Sequence, residues 1–112
     1  MSAPVLLGAA THIAERATVT GPVVMGNACA IYPLVRVSDS ILWDDVIVHE
    51  RAVVTDSVLA SGTRVEAGAI IEGAIIGHGV SIGAGARVPT GARIDPGTCV
   101  PPGAQWSAAR DG

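Results

Sequence analysis

Large aliphatic residues recur along this chain at a spacing that fits neither an α-helix nor a long strand. From Leu7 to Trp106 one such position follows another after six residues, except at three places where the step is five. Six, six and five add up to 17, and the segments 39–55 and 56–72 repeat each other in this frame, opening with "DSIL" and "DSVL". A period near six residues is typical of hexapeptide β-helices, in which one coil has three short sides.

The same pattern predicts which side chains fill the interior of the coil, here called the shaft. Each side is a short strand that pairs in parallel with the sides above and below it. The residue two before each large aliphatic is small or β-branched, as expected if both must fit inside, and glycines recur at the bends. We predict a shaft core that contains nine aliphatic residues in its central coils: Leu42, Val48, Val54, Leu59, Val65, Ile71, Ile76, Ile82 and Val88.

The pattern runs without interruption, so we predict one all-β domain over 1–112 with almost no α-helix. The domain is expected to be a single-stranded parallel β-helix of about six triangular coils over residues 5–106, with a capping tail at 101–112. Exposed strand edges at the ends of such a solenoid need covering. We expect Ser2–Pro4 to cap one end and Trp106 to close the other.

Composition and charge exclude several functions. The chain is 49% hydrophobic, has no Phe and carries a net charge of −3 without charge runs, so we expect no nucleic-acid partner. It has no apolar run long enough for a membrane span, and its first residues lack the pattern of a secretory signal, which predicts a cytoplasmic protein. Cys29 and Cys99 fit no metal or redox spacing, and we expect neither a metal nor a cofactor.

Three segments carry a resemblance to a known family: "VTGPVVMGNACAI" (19–31), "DSILWDDVIV" (39–48) and "DSVLASGTRVEAGAIIEGAIIGHGVSIGAG" (56–85). They resemble the left-handed β-helix of the hexapeptide-repeat superfamily, and within it the C-terminal domain of sugar-1-phosphate nucleotidyltransferases of the mannose-1-phosphate guanylyltransferase and glucose-1-phosphate adenylyltransferase types. The resemblance implies a left-handed coil with a role in oligomer assembly or regulation. It carries no catalytic residue onto this chain, because the nucleotide-binding domain of those enzymes has no counterpart in the sequence.

Acyltransferases that use acetyl- or acyl-coenzyme A share this fold, and the resemblance to them implies a trimer with a catalytic His between subunits. His49 and His78 are the weak candidates for such a general base, beside His12. His49 should stack below Glu66, because both follow a shaft residue by one position. A zinc site of the γ-class carbonic anhydrase type is disfavoured, because the three histidines fall in different columns of the coil.

Four aliphatic residues are predicted to face outward in one vertical line, here called the aliphatic stripe: Val24, Ile41, Val58 and Ile75. Each directly precedes a shaft residue, and successive members lie one full repeat apart. A contiguous exposed apolar strip usually marks an interface. We expect a homo-oligomer, or docking to a nucleotidyltransferase catalytic domain, while a structural β-helix that stacks end to end stays an alternative.

Asp39 and Asp56 should also stack, one strand spacing of about 4.8 Å apart. Such a pair could hold a cation. More often an Asp at a bend accepts hydrogen bonds from the backbone of its own turn.

Overall fold

The computed structural model describes residues 5–105, and its regular structure is seventeen short strands that form three parallel sheets. Sheet A contains β1 (Val5–Leu7), β4 (Val23–Met25), β7 (Ile41–Leu42), β10 (Val58–Leu59), β13 (Ile75–Ile76) and β16 (Arg93–Ile94). Sheet B contains β2 (His12–Ile13), β5 (Ala30–Ile31), β8 (Ile47–Val48), β11 (Arg64–Val65), β14 (Ser81–Ile82) and β17 (Cys99–Val100). Sheet C contains β3 (Thr18–Thr20), β6 (Arg36–Ser38), β9 (Val53–Thr55), β12 (Ile70–Glu72) and β15 (Arg87–Val88).

Each coil takes one strand from each sheet, which confirms the predicted β-helix. The seventeen strands make five full coils and two sides of a sixth, and an isolated parallel bridge from Arg87 to Gln105 marks its third side. No α-helix occurs in residues 5–105, and that part of the chain therefore has no helix long and apolar enough to span a membrane. The predicted end caps, Ser2–Pro4 and Trp106, lie outside the described residues.

The shaft contains the aliphatic residues that the spacing places there. All nine shaft residues named from the sequence are at most 1% exposed. Small partners such as Ala52 and Ala69, two positions before a shaft residue, are fully buried as well. Toward the first coil the packing loosens, since Ile13 and Val19 are partly buried while Ile31 and Val37 one coil later are buried.

The tight corner between sheets C and A explains why the repeat is shorter in the central coils than in the first. The strand partners Val5 and Val23 of the first coil are one position further apart in sequence than the partners Ile41 and Val58. The shorter corners pass through a left-handed residue, Asp39 (φ 49°) or Asp56 (φ 48°). Gly73 takes the same conformation (φ 56°) in the next coil.

In the "DS" motif the buried serines form a ladder of hydrogen bonds. The expectation that the Asp side chain accepts hydrogen bonds from the backbone of its own turn is wrong. The Ser40 hydroxyl, 2% exposed, donates to the Ser38 carbonyl oxygen at 2.7 Å and accepts from the Ser57 backbone N–H at 3.2 Å. In the same way, the Ser57 hydroxyl donates to the Thr55 carbonyl oxygen and accepts from the backbone N–H of Ala74 in the following coil. Serine hydroxyls, and not the exposed carboxylates, therefore make the side-chain hydrogen bonds of these corners within the described chain.

Candidate functional site

The aliphatic stripe runs up sheet A in strict register. The backbone of Val24 pairs with that of Ile41, Ile41 with Val58, and Val58 with Ile75. Val24 and Ile41 are each 41% exposed and Ile75 is 51% exposed, whereas Val58 in the middle is half-buried. Arg93 continues the same row on β16 and ends the apolar strip with a charge.

Trp43 enlarges this surface and was missed by the sequence analysis. It follows Leu42 by one position, so strand alternation places it on the same outward side as Ile41, and 54% of its surface is exposed. The equivalent positions in the coils below and above are Gly26 and Ala60. A large aromatic between two small residues projects from the sheet. Aligning the residues that directly follow each shaft residue would have revealed this from the sequence.

The three histidines lie apart on the surface. His12 faces outward on β2, His78 occupies an exposed turn between sheets A and B, and His49 lies at the corner between sheets B and C. The described residues hold no group of three or more His, Cys, Asp or Glu side chains that could bind a metal ion. The exposed carboxylates of Asp39 and Asp56 are therefore not part of a recognisable cation site.

His49 is the histidine with defined neighbours, and they lie in the predicted column. Its Nε2 is 3.9 Å from Glu66 Oε1, which is close enough for an ion pair but too long for a hydrogen bond. The Tyr32 ring lies on the other side, with ring centroids 4.7 Å apart and planes tilted by 37°. The predicted His–Glu contact is therefore present, but the imidazole donates no hydrogen bond to the Glu66 carboxylate that would orient it as a general base requires.

The two cysteines differ sharply in environment. Cys29 is buried, and its thiol donates to the Trp43 carbonyl oxygen at 2.9 Å, while Cys99 is exposed. Burial raises the pKa of the Cys29 thiol, because the thiolate would lose its hydration inside the shaft.

This difference predicts selective reactivity. In a thiol titration at neutral pH, Cys99 should react at once and Cys29 only after denaturation.

The raised pKa of Cys29 also predicts a pH-dependent stability. Between the ordinary thiol pKa of about 8.5 and the higher folded value, the unfolded chain loses a proton that the folded chain keeps. The free energy of unfolding should therefore fall as the pH rises above about 8.5. Cys29→Ala should remove that part of the slope, and an unchanged slope would contradict the assignment.

The comparisons with known proteins fit this arrangement. A family model described as the EIF2B subunit epsilon LbH domain matches residues 1–105. This chain belongs to that LbH (left-handed β-helix) family. The LbH assignment confirms both the left-handed β-helix and the relationship to nucleotidyltransferase C-terminal domains that the resemblance implied. No curated protein matches the LbH domain described here closely enough to count as a relative.

Solved structures similar to this LbH domain include two acetyltransferases. A mutant GDP-perosamine N-acetyltransferase from Caulobacter crescentus, in complex with CoA and GDP-perosamine, has a TM-score of 0.83 and 28% identity over 87% of this chain and 48% of its own. The acetyltransferase domain of PglB from Neisseria gonorrhoeae has a TM-score of 0.81 and 27% identity over 96% and 51%. This LbH domain thus spans about half the length of those chains, and both share its hexapeptide-repeat transferase fold.

Proposed function

We propose that this chain is a non-catalytic assembly domain, part of or related to a sugar-1-phosphate nucleotidyltransferase, that pairs with a second copy of itself through sheet A. The observation that carries the proposal is the exposed aliphatic stripe with Trp43 beside it. Isolated exposed aliphatic residues need no explanation, but four in register with an aromatic make a continuous apolar surface. The family match to a β-helix of nucleotidyltransferase type supports the choice of parent enzyme.

The occupant we propose is a second copy, because a two-fold arrangement would bring small and large residues of sheet A together. A two-fold axis between β7 and β10 would place Trp43 of one copy over Ala60 of the other, and each copy would make the same contact. A projecting aromatic that enters a gap above small residues is the usual form of a binding hot spot. The Val24 end of the stripe would then face the Ile75 end of the other copy.

The size of the sheet A face indicates how stable the proposed dimer should be. The stripe spans three strand spacings, about 14 Å, and all six strands of sheet A span about 24 Å. On a molecule whose two shorter extents are 23 and 19 Å, a face of that height approaches only the low end of the roughly 800 Å² per partner that stable interfaces bury. We therefore expect a concentration-dependent dimer, because small interfaces are typically those of weak or transient complexes.

The test is the mass in solution, measured by light scattering over a range of protein concentrations. Wild type should shift from monomer to dimer, and Ile41→Asp/Val58→Asp should stay monomeric, because two carboxylates would be desolvated in the interface. Ile47→Asp provides the matched control, since Ile47 faces outward on sheet B. A wild-type monomer at every concentration, or a double variant that still dimerises, would contradict the self-pairing.

The acyltransferase function is the second candidate, and the acetyltransferase neighbours favour it. His49, 3.9 Å from Glu66, is the histidine to test. It requires coenzyme A thioester to be consumed by an oligomer with His49 at a subunit boundary. Trimeric mass together with thioester consumption that His49→Ala abolishes and His78→Ala preserves would replace the assembly proposal. A dimer without turnover supports the assembly domain.

A further inference from the structure

A polar groove crosses the outer face of sheet C in its first three coils. Thr18, Arg36 and Val53 form one row of register partners on β3, β6 and β9. Thr20, Ser38 and Thr55 form a second row on the same strands. Residues two apart on a strand point to the same side, so both rows face outward. Together with Val37 they line an open groove of about 270 Å³.

The donors in this groove have no internal partners in the described part of the chain. The buried hydroxyls, in contrast, bond internally: Thr63, for example, is fully buried and donates to the Ala60 carbonyl oxygen at 2.7 Å. The side-chain hydrogen bonds found within residues 8–105 include none from Thr18, Thr20, Ser38 or Thr55. The ion pair found there joins His49 and Glu66 and leaves the Arg36 guanidinium without a carboxylate.

We infer that this groove binds a phosphoryl group, with the Arg36 fork as its anchor and the surrounding hydroxyls as further donors. A guanidinium presents donors in a geometry that matches phosphate oxygens, and such charge-assisted bonds are the strong ones. The volume lies below the roughly 300–1,000 Å³ of pockets for whole drug-sized ligands. The groove therefore suits a phosphate or the phosphoryl end of a small ester rather than an entire nucleotide cofactor.

Charged neighbours moderate the affinity. Arg16 and Arg51 lie in the turns that lead into β3 and β9, each preceded by a glutamate. Asp39 and Asp56 follow the second row at the corner, and Glu72 extends that row beyond Thr55. Because these carboxylates repel an anion through solvent, we expect binding in the millimolar range, weakened further by salt.

The chain offers a matched control for the anchor. Arg87 lies in the same outward row as Arg36, three strands further along sheet C. Its groove is lined by Glu72, Pro89 and Gln105 instead of hydroxyls. Glu72 would weaken any general attraction of phosphate to Arg87, so the two arginines are compared in a Glu72→Gln background, where such an attraction would involve both.

The test is a titration with inorganic phosphate at constant ionic strength, followed by amide chemical shifts. The shifts should move at β3, β6 and β9, and Arg36→Gln should weaken binding about tenfold or more while Arg87→Gln leaves it unchanged. Thr55→Val, which removes one hydroxyl, should weaken binding to a smaller extent. A sugar 1-phosphate in the same series separates the sources, since it should bind like phosphate if the free anion is the ligand and more tightly if an ester is. No shift changes at tens of millimolar phosphate, or equal loss in both arginine variants, would overturn the inference.

Discussion

Ile71→Ala should lower the free energy of unfolding by about 2–5 kcal/mol, while Ile70→Ala, one residue earlier, should cost about 1 kcal/mol or less. Both are isoleucines on β12, but Ile71 is fully buried in the shaft and Ile70 faces outward, half-buried. Truncating Ile71 removes buried methyl groups and leaves a cavity that the neighbouring coils cannot close without breaking their register.

Denaturant unfolding followed by far-ultraviolet circular dichroism would measure both variants under identical conditions. Domain stabilities are typically about 5–15 kcal/mol, so the Ile71 variant would lose a large fraction of the total. Equal losses for the two variants would mean that inward and outward positions do not differ as the burial indicates.

Gly77→Ala should destabilise the domain by about 3 kcal/mol, at the upper part of the range for overpacking. A Cβ at residue 77 would lie 2.7 Å from the backbone nitrogen and 2.9 Å from Cδ of Pro96, one coil above. Backbone and a proline ring cannot rotate away as a flexible side chain would. The whole corner between sheets A and B would have to shift.

Gly79→Ala separates crowding from backbone strain. Gly79 has φ +64°, and a Cβ there would meet no atom within 4 Å. Its substitution should therefore cost only the left-handed penalty of roughly 1 kcal/mol. Thermal unfolding of the pair would show the difference, and a Gly77 variant as stable as the Gly79 variant would refute the predicted clash.

The sequence predicted the features that the coil repeats, because one period determines them all. Shaft residues such as Leu59, their small partners and the stacking of His49 below Glu66 follow once the steps of six and five residues are recognised. The same frame places the aliphatic stripe in register. Each of these is a statement about which residues share a column, and columns can be counted from sequence.

Features that depend on what lies beside a column were not predicted. Trp43 projects because Gly26 and Ala60 are its vertical neighbours, which is visible only when the positions after the shaft residues are aligned as well. Counting columns places Arg36 in an outward row but does not distinguish it from Arg87 in the same row. To predict the groove at Arg36 one must know that the nearby hydroxyls make no internal hydrogen bonds, whereas the equally polar Ser40 turns inward and bonds to the backbone.

The tight corners at Asp39, Asp56 and Gly73 have a further consequence for how such a chain can change length. Removing a single residue from a side would displace every later side chain from its column and would break the serine ladder. Removing or duplicating one complete repeat between two equivalent corners returns each side chain to an equivalent place, with the same neighbours above and below. For this domain the natural unit of insertion and deletion is thus the whole coil, and its height can evolve while its cross-section stays the same.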